Sequence, residues 1–76
     1  MNRTIADLQK GEHAIISSFT DATLSLRFLE MGCLPGTAIT LNFIAPLGDP
    51  LGVKMTGGCC LWMRRDEAAT VLVTTP

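Results

Sequence analysis

The chain has 76 residues, a formal net charge of −1, 17% charged residues and 47% hydrophobic residues. A length of this kind makes one domain at most, spanning residues 1–76 here, and such a domain buries only about 60% of its unfolded surface. The six basic residues are scattered, with only Arg64 and Arg65 adjacent, so nothing demands a nucleic-acid partner, and no apolar run is long enough for a membrane-spanning helix.

The first segment, Ile5-Ala6-Asp7-Leu8 running into Lys10-Gly11-Glu12, reads as a short helical turn or extended arm closed by a glycine turn. His13 to Ser18 alternates loosely and carries the β-branched pair Ile15 and Ile16, which predicts a first strand. Thr20-Asp21 suits a helix N-cap. Leu24, Phe28 and Met31 then share one helical face, and Gly32 suits the left-handed position beyond the last turn, so a helix over Ala22 to Met31 is expected.

Leu34-Pro35-Gly36-Thr37 and Ala45-Pro46-Leu47-Gly48-Asp49-Pro50 flank the next segment, Thr37 to Ile44. Its alternation places Ile39, Leu41 and Phe43 on one face and Thr40 and Asn42 on the other, a half-buried strand. Leu51, Val53 and Met55 alternate in the following strand, and Gly57-Gly58 signals a tight hairpin. In the strand after it, Cys59, Leu61 and Met63 share one face and Cys60, Trp62 and Arg64 the other. Asp66 suits the cap of a turn running through Ala69, and Val71 and Val73 form a last short strand. Five strands, one inserted helix and a terminal helical turn make a small β-barrel, which leaves few exposed edges.

The chemistry-bearing residues form no reactive constellation. His13, Cys33, Cys59 and Cys60 lack zinc-ligand spacing. Adjacent Cα atoms lie about 3.8 Å apart, short of the ~4.4–6.8 Å of ordinary disulfides, so reduced thiols are expected. Cys59 reads as structural filler. Asp66 and Glu67 suit a helix start better than acid–base chemistry, and Arg64-Arg65 read as solvated surface. No signature pairs His13 with a nucleophile, so no catalytic or cofactor-binding residue is assigned. Trp62, opposite the core face, is either covered by the helix or offered to a partner.

Five blocks in order resemble the FeoA family, ferrous iron transport protein A: Gly11-Glu12-His13-Ala14-Ile15-Ile16, Arg27-Phe28-Leu29-Glu30-Met31-Gly32, Leu34-Pro35-Gly36-Thr37, Ala45 to Pro50, and Met63-Arg64-Arg65-Asp66-Glu67-Ala68. The chain departs at Met31-Gly32-Cys33, where the family more often has Leu-Gly-Leu or Leu-Gly-Met. The resemblance covers nearly the whole chain and implies an SH3-like small barrel. It also implies a non-enzymatic cytoplasmic accessory of ferrous iron uptake that docks on the cytoplasmic part of the membrane transporter FeoB. The family supplies no catalytic residues, and no metal or cofactor residue is assigned in this chain.

The same fold occurs in iron- and manganese-dependent repressors, so the alternative is a metal-responsive module sensing Fe²⁺. The absence of any signal-peptide segment agrees with a cytoplasmic location. Phe28 and Phe43 both read as core-facing, which argues against recognition of proline-rich peptides in an aromatic groove. A charge-poor chain must still expose apolar area. The expected partner-binding residues are Leu26, Arg27 and Leu29 on the helix, Leu47 at the tip of the Ala45–Pro50 turn, and Trp62.

Overall fold

The structure, a computed structural model, describes residues 3–75. β1 (Arg3–Thr4) leads into a single 3-10 turn, Ile5–Asp7. β2 (His13–Phe19), α1 (Ala22–Glu30), β3 (Ala38–Ile44), β4 (Leu51–Met55), β5 (Cys60–Met63), α2 (Arg65–Ala68) and β6 (Val71–Thr74) follow. The strands form one antiparallel sheet in the order β1-β6-β2-β3-β4-β5. The mostly β expectation holds, with one strand more than the five anticipated. The addition is β1, whose two residues pair with Val73 and Leu72.

Inward-facing strand residues make most of the core, joined by Ile5 of the 3-10 turn. Ile5, Ile16, Leu41, Leu51, Val53 and Val71 are fully buried, and each such side chain contributes about 1.5–3 kcal/mol relative to exposure. The helix joins this core through Phe28, which is 2% exposed and stacks on Phe19 with ring centroids 5.8 Å apart. Asp21 starts α1 as expected, its Oδ1 accepting from the Leu24 N–H at 2.9 Å.

Three details of the elements differ from expectation. The helix ends at Glu30, and Met31 is its C-cap, 40% exposed rather than on the packed face. Gly32, at φ 86°, turns the chain so that Cys33 points inward, with its N–H bonded to the Phe28 carbonyl at 2.8 Å. Cys33 is fully buried in Met31's place, and burial pushes its thiol pKa up to about 11, which leaves it protonated and inert.

Next, α2 is capped by Arg64 rather than Asp66. The acids that cap it come from either side: Glu67 Oε1 accepts from the Arg64 N–H at 2.9 Å, and Asp49 Oδ1 from the Arg65 N–H at 3.0 Å. Finally, β5 starts at Cys60, so Cys59 lies in the hairpin turn and is exposed rather than packed.

The largest correction is Phe43. A bulge in β3 between Leu41 and Phe43 shifts the pairing, so that Leu41 faces Val53 but Phe43 faces Gly52. One extra residue reverses the alternation. Phe43 therefore sits on the outer face, 41% exposed, and Ile44 takes the inward position opposite Leu51.

Candidate docking surface

The bulge creates an outer-face row across three strands: Phe43 on β3, Gly52 on β4 and Trp62 on β5. Phe43 and Trp62 meet edge to face, with centroids 5.4 Å apart and planes at 70°, a geometry the ring quadrupoles favour. Gly52 makes room for them. A Cβ at that position would lie 2.9 Å from Trp62 Cζ3 and 3.1 Å from Phe43 Cβ. Trp62 is nonetheless 59% exposed. Its indole rests on the Gly52 backbone and leaves its remaining surface open. Trp62 lay opposite the core by strand alternation alone; its partner Phe43 was hidden by the bulge.

A second apolar area lies on α1 and the turn after it. Leu26 is 60%, Leu29 39% and Leu34 49% exposed, beside the exposed Met31. Arg27, on the same helix, pairs with Glu67 of α2 at 3.1 Å, with its side chain 62% exposed. Leu47, in the turn between β3 and β4, is 96% exposed, the most open large hydrophobic residue described.

The five expected contact residues thus fall into two groups. Leu26, Arg27 and Leu29 share α1, while Leu47 and Trp62 belong to the β3–β5 side. The elements that carry them are tied together by α2. Its Glu67 holds Arg27, and its Arg65 donates from Nε to the Gly48 carbonyl at 2.8 Å and from Nη1 to the Ala6 carbonyl at 2.8 Å. Arg65 is therefore a fastener between three segments, not solvated surface. No local motif announces that role. Gly48 itself has φ 86°, a conformation in which a Cβ is strained, and its carbonyl is the one Arg65 takes.

The polar groups show no reactive arrangement. His13 Nδ1 shares a hydrogen bond with Thr40 Oγ1 at 2.8 Å. Cys59 and Cys60 are exposed free thiols. Among the described residues, no three His, Cys, Asp or Glu side chains are grouped as metal ligands would be. Near the N-terminus, the Glu12 carboxylate accepts from Nη1 and Nη2 of Arg3, at 2.6 and 3.0 Å, and from the Gln9 N–H at 2.9 Å. The Arg3 hydrogen bond and then the Gln9 one hold its carboxyl down to about 2. That ion pair fastens β1 to the segment before β2. No helix among the described residues is long and apolar enough to cross a membrane.

The model of the FeoA domain matches residues 3–75. The chain belongs to the FeoA domain family. The solved FeoA protein of Chlorobium tepidum is 30% identical, superposes with a TM-score of 0.87, and aligns over 96% of this chain and 70% of its own. The FeoA of Stenotrophomonas maltophilia, solved with zinc, is 26% identical with a TM-score of 0.82, over 95% of this chain and 89% of its own. It is described as a prokaryotic SH3 domain protein and a candidate bacterial ferrous iron transport activating factor, and the SH3-like class expected of this FeoA chain agrees with that.

A manganese-dependent transcriptional repressor, solved with manganese, matches with a TM-score of 0.88 over 99% of this chain and 37% of its own, at 13% identity. That likeness concerns the fold alone. No curated protein matches the chain in sequence.

Proposed function

We propose that the chain, acting as a single unit, is a non-enzymatic accessory of ferrous iron uptake in the cytoplasm and docks on the cytoplasmic part of the transporter FeoB. Family membership supplies the link to ferrous iron transport. The observation that carries the docking reading is the exposure of Leu26, Leu29, Leu47 and Trp62, at 60%, 39%, 96% and 59%. A chain with so few charges that leaves these four open fits a protein that covers them against another molecule. Aromatic and large aliphatic anchors at the centre of such a contact each carry about 2 kcal/mol or more. Arg27, held by Glu67, would contribute at the rim.

The test is co-purification of this chain with the cytoplasmic domain of FeoB. Retention of the parent protein, weakened by Leu26→Asp or Leu47→Asp, supports the reading, and no retention contradicts it. Calorimetry of the reduced protein with Fe²⁺ separates the docking role from metal sensing. A stoichiometric site of micromolar affinity or tighter would favour the sensor.

A further inference from the structure

The strand rows around the aromatic pair carry no carboxylate. Six of the seven acidic residues already have hydrogen-bond partners: Asp7 at Thr4, Glu12 at Arg3, Asp21 at Leu24, Asp49 at Arg65, Asp66 at Glu67, and Glu67 at Arg27 and Arg64. Only Glu30, on α1, has none among the described residues. The cations divide differently. Arg3, Arg27 and Arg65 are engaged, whereas Lys10, Lys54 and Arg64 make no side-chain hydrogen bond or ion pair among the described residues.

Two of the three, Lys54 and Arg64, border the aromatic row. Lys54 lies two residues along β4 from Gly52, on the same outer face, opposite Thr40 and Cys60. Arg64 follows Trp62 by two residues, still in extended conformation, and is exposed. His13, opposite Thr40, extends the same row. The rows from His13 to Cys60 and from Phe43 to Trp62 contain no carboxylate. Asp49 shares a shallow depression with Arg64 and keeps its charge there, its Oδ1 accepting from the Arg65 N–H.

We infer that the Phe43–Trp62 pair, flanked by Lys54 and Arg64, is the seat of an acidic peptide segment of the partner, which sets an aliphatic side chain on the rings and its carboxylates on the two cations. The inference rests on the docking reading for the identity of the partner. Charge complementarity selects this occupant. A second copy of the chain would bring Lys54 and Arg64 against like charges across an isologous contact. Two cations are too few to track a nucleic-acid backbone.

Trp62 is the only Trp and the chain has no Tyr, so its emission reports on this face directly. The probe is the synthetic peptide Glu-Glu-Leu-Glu-Leu-Glu-Glu, with its counterpart carrying Lys at every Glu position as control. The acidic peptide is expected to shift Trp62 emission saturably, to shield it from acrylamide, and to bind more weakly as salt rises. Lys54→Glu combined with Arg64→Glu should weaken it at least about tenfold without changing the melting temperature. Phe43→Ala should weaken it about 30-fold.

Equal binding of the lysine peptide, or no response to the acidic peptide at millimolar concentration, overturns the inference. So does tighter binding of a single-stranded oligonucleotide, or self-association that buries Trp62. The FeoB domain distinguishes the two readings. If it binds the parent and the double charge reversal equally, the acidic seat fails and docking stands. If it ignores the parent while the acidic peptide binds, docking fails and the seat stands.

Discussion

Gly52 lies beneath Trp62 so closely that a Cβ on Gly52 would come within 2.9 Å of the indole Cζ3. The aromatic row exists because that position has no side chain. The neighbour that must give is a large ring with a solvent-exposed side, so it has somewhere to go. Gly52→Ala is expected to push Trp62 off the sheet and cost about 1–3 kcal/mol. The checks are a red-shifted, more readily quenched Trp62 emission and a lowered denaturant midpoint.

Phe28 is the helix's anchor. It is 2% exposed and stacked on Phe19 of β2. Phe28→Ala should cost about 3–5 kcal/mol, a large share of the stability of a small domain. Arg27→Ala, which removes an exposed ion pair, should move the midpoint by less than about 1 kcal/mol. Chemical denaturation of both variants makes the comparison.

The two adjacent arginines are expected to behave in opposite ways. Arg65 donates to the carbonyls of Gly48 and Ala6, so Arg65→Ala orphans both and should cost about 1–3 kcal/mol. Arg64 has no such contacts, and Arg64→Ala should stay within about 0.5 kcal/mol. Equal midpoints for the two variants would remove Arg65 from the fastening role.

Acid should loosen the N-terminal arm. Arg3 and the Gln9 N–H hold the Glu12 carboxyl at about 2 in the folded protein, below the ~4.3 of an unfolded chain. A depressed folded pKa stabilises above the unfolded value, and that contribution is lost as pH falls from about 4.3 towards about 2. Glu12→Gln should therefore flatten the acid limb of stability against pH. Melting curves of parent and variant across that window test it, and parallel limbs would contradict it.

Much of this architecture was legible in the chain, and the exceptions have local causes. The strands from His13 onward, the helix, the turns at Gly36 and Gly48 and the outward Trp62 follow from alternation, capping and Pro/Gly chemistry. Gly36 and Gly48 do adopt positive φ, 91° and 86°. Alternation misplaces Phe43 because Ile39-Thr40-Leu41-Asn42-Phe43 alternates without a break, and the bulge leaves no mark on it. The signal sat on the partner strand, in a glycine among Leu51, Val53 and Met55, and on Ile44, apolar where alternation called for a polar residue.

Helical spacing misplaces Met31 because the period continues one residue beyond the hydrogen-bonded helix. Arg65 was missed because its partners, Gly48 and Ala6, are distant in sequence and are backbone carbonyls, which no side-chain motif encodes. The hydrogen bonding of nearly every carboxylate, with Lys10, Lys54 and Arg64 left without side-chain partners among the described residues, is likewise a property of the folded surface.

The docking role is tested most directly by Trp62 emission during titration of the full chain with the purified cytoplasmic domain of FeoB. For the test, Trp codons in that domain are replaced, so that Trp62 is the only emitter. The prediction is an exposed, readily quenched indole in the free protein that becomes saturably protected from acrylamide as FeoB is added, with Leu47→Asp weakening the response. Emission and quenching unchanged at saturating FeoB would contradict a docking role for this surface.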